Sequence, residues 1–265
     1  DKARDQKNII IDDKIFNVFG DDFDRFDFPA DVYRVTAGFG GEALLIAGSE
    51  KTALLDCGMA YCGDKMAENL SRCLADKGRE NLDYIILSHS HYDHMGALPY
   101  VKKRFPGAVV CGSRHCSEIL ERPNARKLIK RLGETAKELY DPDGKEEISV
   151  EGLKVDRVLE DGDVVSLGNE YLVALETKGH TDCSMSYALE PAGLLFTSES
   201  TGILEGKDFV HTPILKDYDD AIASMEKCRR YGAKYLSLPH FGMLPRDFND
   251  RYWEMFEEAC REKLE

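Results

Sequence analysis

Leu87-Ser88-His89-Ser90-His91-Tyr92-Asp93-His94-Met95-Gly96 places four metal-competent side chains, His89, His91, Asp93 and His94, within six residues. The apolar run 84–87 before them reads as a buried strand, so the motif falls beyond a strand's carboxyl end, where ligands converge in open α/β folds. Alternating ligands at such a turn point inward together. The adjacent Asp93 and His94 reach a neighbouring point, so the spacing suits a pair of cations. Imidazole favours zinc and iron, and carboxylate oxygen adds to either, which excludes a purely oxygen-ligated calcium site.

Toward the amino end, 9–18 and 32–35 read as strands around the acidic, aromatic turn 21–29, a wall for a cleft. Strands 43–46 and 52–55 pair across Gly48-Ser49-Glu50-Lys51, and the second ends at Asp56. Met66, Leu70, Cys73 and Leu74 recur at helical spacing, with Gly78 as C-cap. Beyond the motif, helix 97–104 stops at Pro106-Gly107 and strand 108–111 resumes a βαβ rhythm. The span 113–147 is helical and charged, with Leu128, Ile129, Leu132, Ala136 and Leu139 as its apolar stripe, and reads as an insert between strands. Strands 153–159, 164–166, 171–176, 184–189 and 194–197 follow, then helix 219–231, strand 235–238 and helix 248–264, which buries Trp253, Phe256 and Cys260.

A chain of 265 residues of this pattern is expected to form a single domain over 1–265. Its 43% apolar content includes no run near the roughly 20 residues that span a bilayer, so no membrane partner is expected. The formal charge of -14 argues against nucleic acid, which is bound through basic surface. Eight cysteines without a CxxC pair fit buried thiols in a reducing compartment better than a disulfide framework. Residues 1–6 lack the basic and apolar parts of a secretory signal, and the expected location is the cytoplasm.

Two metal sites need further donors, and the remaining histidines are His115, His180, His211 and His240. His180 follows strand 171–176 in Lys178-Gly179-His180-Thr181, and His240 follows strand 235–238 in Leu238-Pro239-His240-Phe241-Gly242. Both lie in Gly-containing loops just past a strand, as the main motif does. Glu199 follows another apolar strand in Leu194-Leu195-Phe196-Thr197-Ser198-Glu199-Ser200 and is the best carboxylate candidate. A lone strand-end histidine is structural about half the time, and it is the shared placement that singles these three out. His115 and His211 read as structural or exposed, with substrate contact a lesser reading for His211. Cys183 reads as a buried thiol.

In this order of motifs the chain resembles the metallo-β-lactamase-fold hydrolase superfamily, over about residues 9–241. The resemblance implies an α/β fold, a four-layer αββα sandwich with the helical insert near 113–147. It implies that His89, His91 and His180 hold one metal and Asp93, His94 and His240 the second, with Glu199 bridging and Asp56 orienting a ligand from behind. The cofactors so implied are two divalent metal ions, zinc first, with iron or manganese as alternatives. One position departs: the superfamily has Asp in a Gly-Asp pair where this chain has Ser198-Glu199. An extra methylene moves a carboxylate by about 1.5 Å, against ligand tolerances of about 0.2 Å, so either the backbone retreats or the bridge is imperfect.

The activity so implied is hydrolysis of a small ester, thioester or lactone by a metal-bound hydroxide, with Asp93 orienting it and taking up its proton. Phosphoesters and β-lactams are less favoured, and RNA processing is disfavoured by the acidic charge and the lack of room for a nuclease domain. One alternative is a mononuclear iron oxidoreductase like the persulfide dioxygenases, with Glu199 completing a two-histidine, one-carboxylate site. The superfamily's oxygen reductases carry Glu where this chain has His91, and a flavin domain is not expected. A third reading is a catalytically weak metal-binding sensor. The expected partner is a small molecule. The basic span Arg122, Arg126, Lys127, Lys130 and Arg131 offers a place for an anionic tail, although a solvated helix face balanced by later acids is the favoured reading.

Overall fold

The computed structural model describes residues 9–11, 14–16 and 28–264, and the chain divides into two compact units, Asp31–Ala174 and Asp1–Ala30 with Leu175–Glu265. Near the amino terminus, β1 (Ile9–Ile11) and β2 (Lys14–Phe16) pair antiparallel, two short strands within the single one expected over 9–18. Most of the turn expected at 21–29 lies outside the described residues.

Unit Asp31–Ala174 is built on a six-stranded sheet of β3 (Val32–Arg34), β4 (Leu44–Ala47), β5 (Thr52–Leu55), β6 (Tyr84–Ile86), β7 (Val109–Ser113) and β8 (Arg157–Leu159), in that order. The first two pairings are antiparallel, and β5 to β8 run parallel. Parallel neighbours need long crossovers, and helices supply them. The crossovers are α1 (Gly63–Asp76), then α2 (Tyr92–Met95) with α3 (Leu98–Arg104), then α4 (Arg114–Glu121) with α5 (Pro123–Tyr140). Met66, Ala67, Leu70 and Leu74 form the buried face of α1, which packs on α3, and Gly78 follows its end in the left-handed region, φ 68°.

The insert is helical as expected, but its buried ridge is Ile129, Gly133 and Ala136, and Leu128 is 46% exposed. Gly133 explains the difference. A Cβ there would come within 3.0 Å of the Ile148 side chain, so α5 lies closest to its neighbours along the 129–133–136 ridge and Leu128 falls beside it. Strand β8 is also shorter than the expected 153–159, because the Asp156 carboxylate takes the Val110 N–H at 3.1 Å that a ladder bond would use. Strand β9 (Val164–Ser166) pairs antiparallel with β10 (Tyr171–Glu176), whose last residues cross the unit boundary.

In the other unit, β11 (Met185–Glu190) pairs antiparallel with β12 (Leu194–Phe196), followed by β13 (Ile203–Gly206), β14 (Phe209–His211) and α6 (Tyr218–Tyr231). The β13–β14 hairpin is absent from the sequence reading, because strands of three or four residues around the polar 207–208 turn leave almost no period to detect. Asp217 caps α6 by accepting the Asp220 N–H at 2.9 Å, and Gly232 closes it with φ 68°. Strand β15 (Tyr235–Ser237) then pairs parallel with β12, and α7 (Asn249–Leu264) packs on α6, burying Trp253, Phe256 and Cys260 as expected. Among the described residues no helix is long and apolar enough to cross a membrane, and all eight cysteines are free.

Candidate metal centre

The parallel pairing of β5 with β6 sets Leu55 beside Ile86, so the two strands deliver Asp56 and the 87–91 turn side by side. Asp56 N–H donates to Ile86 O at 2.9 Å, and Asp56 itself sits at φ 53°, a left-handed conformation that costs energy for a residue with a Cβ. The strain turns its carboxylate onto the motif. Asp56 Oδ1 accepts the Ser88 N–H at 2.7 Å, and Oδ2 accepts the Ser88 hydroxyl at 2.6 Å and lies 3.0 Å from His94 Nδ1. Ser88 Oγ is in turn 2.9 Å from His89 Nδ1. Asp56 thus holds His94 directly and His89 through the Ser88 hydroxyl.

His89 stands three residues past β6, and His91 ends the turn as N-cap of the four-residue α2, whose first turn carries Asp93 and whose last carries His94. The ring of His89 lies 4.6 Å from that of His91 and 4.4 Å from that of His94, centre to centre. Asp93 Oδ2 is 3.6 Å from His94 Nε2, and its side chain keeps 18% exposure while that of His94 has none. The glycine-rich segment 38–41 presses on this turn: Gly41 N–H donates to Asp93 O at 2.8 Å, and a Cβ on Gly41 would run into the His94 ring. All four motif residues are thus brought together within their unit.

The second set of donors is built the same way. Phe196 of β12 is paired with Ser237 of β15, and three residues beyond each stand Glu199 and His240. Glu199 opens a 3-10 turn and is 5% exposed. Its Oε1 lies 2.9 Å from His240 Nε2 and its Oε2 2.8 Å from His180 Nε2. One carboxylate therefore spans two imidazoles.

His180 is fixed on its other sides. Its N–H donates to Ser200 Oγ at 3.0 Å, and its Nδ1 faces the Pro213 carbonyl, an acceptor, which makes Nδ1 a donor and sets Nε2 against Glu199. Beneath lies a buried hydroxyl trio: Thr177 Oγ1 is 2.9 Å from Ser186 Oγ and 3.0 Å from Ser198 Oγ, and Ser186 Oγ accepts the Ser198 N–H at 3.0 Å. Ser88, Pro213 and this trio escaped the sequence reading. Ser88 had a signal, since it adjoins the motif and faces a second strand end, whereas the Pro213 carbonyl comes from a loop without one.

The other candidates fall elsewhere. His115, half-buried on α4, faces Glu118 at 3.5 Å, and the exposed His211 of β14 faces Glu205 at 3.3 Å. Cys183 is buried with Sγ 3.3 Å from Thr181 Oγ1. Within the basic span, Arg126 is committed to the carbonyls of Leu120 and Leu153, at 2.5 and 2.9 Å, and Lys130 stands 3.9 Å from Glu134.

Imidazole nitrogens and carboxylate oxygens, buried at His89, His94, His180 and Glu199 and half-buried at His91, Asp93 and His240, are a donor set that fits zinc, iron or manganese. Parallel α/β strands whose carboxyl ends carry such donors define a class of metal-binding α/β enzyme folds. The sequence profile of the Metallo-beta-lactamase superfamily matches residues 37–240, and the chain belongs to that superfamily. Its fold class is the α/β sandwich expected from the sequence.

A coenzyme F420H(2) oxidase of Methanothermobacter marburgensis is 28% identical over 161 residues, which are 60% of this chain and 34% of the relative; the chain thus spans about a third of that protein. The metallo-beta-lactamase fold-containing protein ST1585 of Sulfurisphaera tokodaii is 27% identical over 189 residues, 69% of this chain and 71% of the relative. Among solved structures, BJP-1, a subclass B3 metallo-beta-lactamase of Bradyrhizobium japonicum, matches with a TM-score of 0.62 at 21% identity, covering 90% of this chain and 92% of that one.

Proposed function

We propose that the chain is a metal-dependent hydrolase of a small ester, thioester or lactone. His89, His91 and His180 would hold one cation, Asp93, His94 and His240 the other, and Glu199 would be shared. The observation that carries this reading is the Glu199 carboxylate, with one oxygen against His180 and the other against His240, the posture of a group that serves two ions. Two divalent cations, when bound, supply Lewis acidity and a water acidified to near neutrality.

The protein's own residues supply the rest. Asp56 and the Pro213 carbonyl hold imidazoles in the tautomers that present Nε2. Asp93, the partly exposed carboxylate of the motif, accepts a proton from the attacking water at Oδ2. Ser198 and Ser200 are tied into the supporting network and do not act as nucleophiles.

An oxidoreductase reading is favoured by the likeness to the F420H(2) oxidase. Against it, the third motif position is His91, so the motif offers three imidazoles with one carboxylate, a set suited to zinc. Protein purified without added metal is expected to hold two zinc ions per chain and to hydrolyse members of a thioester and lactone panel. One iron per chain with oxygen uptake would replace this reading with the redox one.

A further inference from the structure

Ser88 stands between Asp56 and His89, and none of the three is exposed to solvent. Its hydroxyl has a single hydrogen to give, and lies 2.6 Å from Asp56 Oδ2 and 2.9 Å from His89 Nδ1. A carboxylate only accepts, so that hydrogen goes to Asp56 and the hydroxyl oxygen must accept from His89. His89 therefore carries its proton on Nδ1, leaving the Nε2 lone pair for a ligand. His94 reaches the same state without an intermediary, its Nδ1 donating to Asp56 Oδ2 at 3.0 Å. With the Ser88 N–H on Oδ1, one carboxylate takes three hydrogens and orders two imidazoles, one directly and one through a hydroxyl.

We propose that Ser88 is a positioning residue that sets the tautomer of His89 alone, and that Asp56 sets both His89 and His94, so that a single buried carboxylate governs two metal sites through arms of different length. The consequence for metal binding rests on the reading above, in which the two histidines serve different cations. The tautomers themselves do not depend on it.

The test is a two-bond proton–nitrogen correlation NMR experiment on the imidazoles of the full chain, metal-free and zinc-loaded, joined to calorimetric titration with zinc. In the wild type, His89 and His94 are both expected as Nδ1–H tautomers. Ser88→Ala releases His89 from that tautomer and leaves His94 in it, whereas Ser88→Thr, which keeps the hydroxyl, keeps both. In the titration, Ser88→Ala weakens one zinc equivalent by about 10- to 100-fold and spares the other, and Asp56→Asn weakens both.

A wild-type His89 protonated on Nε2 would overturn the proposal without recourse to any variant. So would Ser88→Ala weakening both zinc equivalents alike, or neither. A wild type that binds no zinc yet shows both Nδ1–H tautomers would remove the metal reading and leave the tautomer assignment standing.

Discussion

Glu199 reaches two imidazoles at 2.8 and 2.9 Å from the first position of a 3-10 turn, and neither contact has slack. Shortening it to Asp withdraws the carboxylate by about 1.5 Å, enough to lose at least one partner. Glu199→Asp is therefore expected to weaken one zinc equivalent by about 10- to 100-fold in calorimetric titration. Glu199→Ala should abolish stoichiometric binding of a second ion; unchanged metal content in both variants would remove Glu199 from the centre. Gly41 makes a complementary case, because any Cβ there strikes the His94 ring. Gly41→Ala is expected to cost about 1–3 kcal/mol in denaturant unfolding and to disturb the His94–Asp56 bond. The motif histidines and Asp93 were legible in sequence because they are neighbours along the chain. His180, Glu199 and His240 were legible only through their shared position after strands, and the Pro213 carbonyl was not legible, since a backbone acceptor carries no residue signature.

The strands that carry donors are short, and their pairing sets where the loops begin: β5 beside β6, and β12 beside β15. Continuous apolar runs revealed these strands, whereas β13 and β14 were too brief to register. The insert's helices were read from their periodicity, but its facing ridge was set by Gly133 against Ile148, a contact between segments that no local pattern encodes. The segment after α5 also meets the start of α1, where Glu146 Oε1 accepts the Asp64 N–H at 3.1 Å. Partial burial, with the Asp64 carboxylate beside it, pushes Glu146 up to about 6. The folded chain thus holds this proton more tightly than the unfolded one, so the stabilisation is complete below pH 4.5 and lost as pH rises through about 6. Glu146→Gln, which keeps an acceptor without the charge, should raise the thermal midpoint above pH 6 and leave it unchanged below pH 4.5. A lower midpoint throughout would mean that the carboxylate helps the fold at every pH.

Across the whole chain, the eight thiols are free and Cys73 alone is not fully buried. Burial pushes Cys62, Cys228 and Cys260 up to about 12 and Cys111 to about 11, so these thiols are both enclosed and protonated. Titration with an aromatic disulfide reagent should find at most the one thiol of Cys73 in the native protein and eight after denaturation. Metal binding, on the proposed reading, stabilises the native chain by mass action. At a free zinc concentration a hundredfold above Kd the gain is about 2.7 kcal/mol, and chelation should lower the thermal midpoint by about 5–10 °C. The Asp56 network gives the centre an order in time as well as in space. Its members all lie between residues 56 and 94, while Glu199 follows His94 by 105 residues, which at ribosomal speed is a delay of roughly 5–20 s. A nascent chain thus acquires the donors of the first set, with their shared carboxylate, well before the residue that spans His180 and His240 has been synthesised, and an ion captured early would meet the motif histidines first.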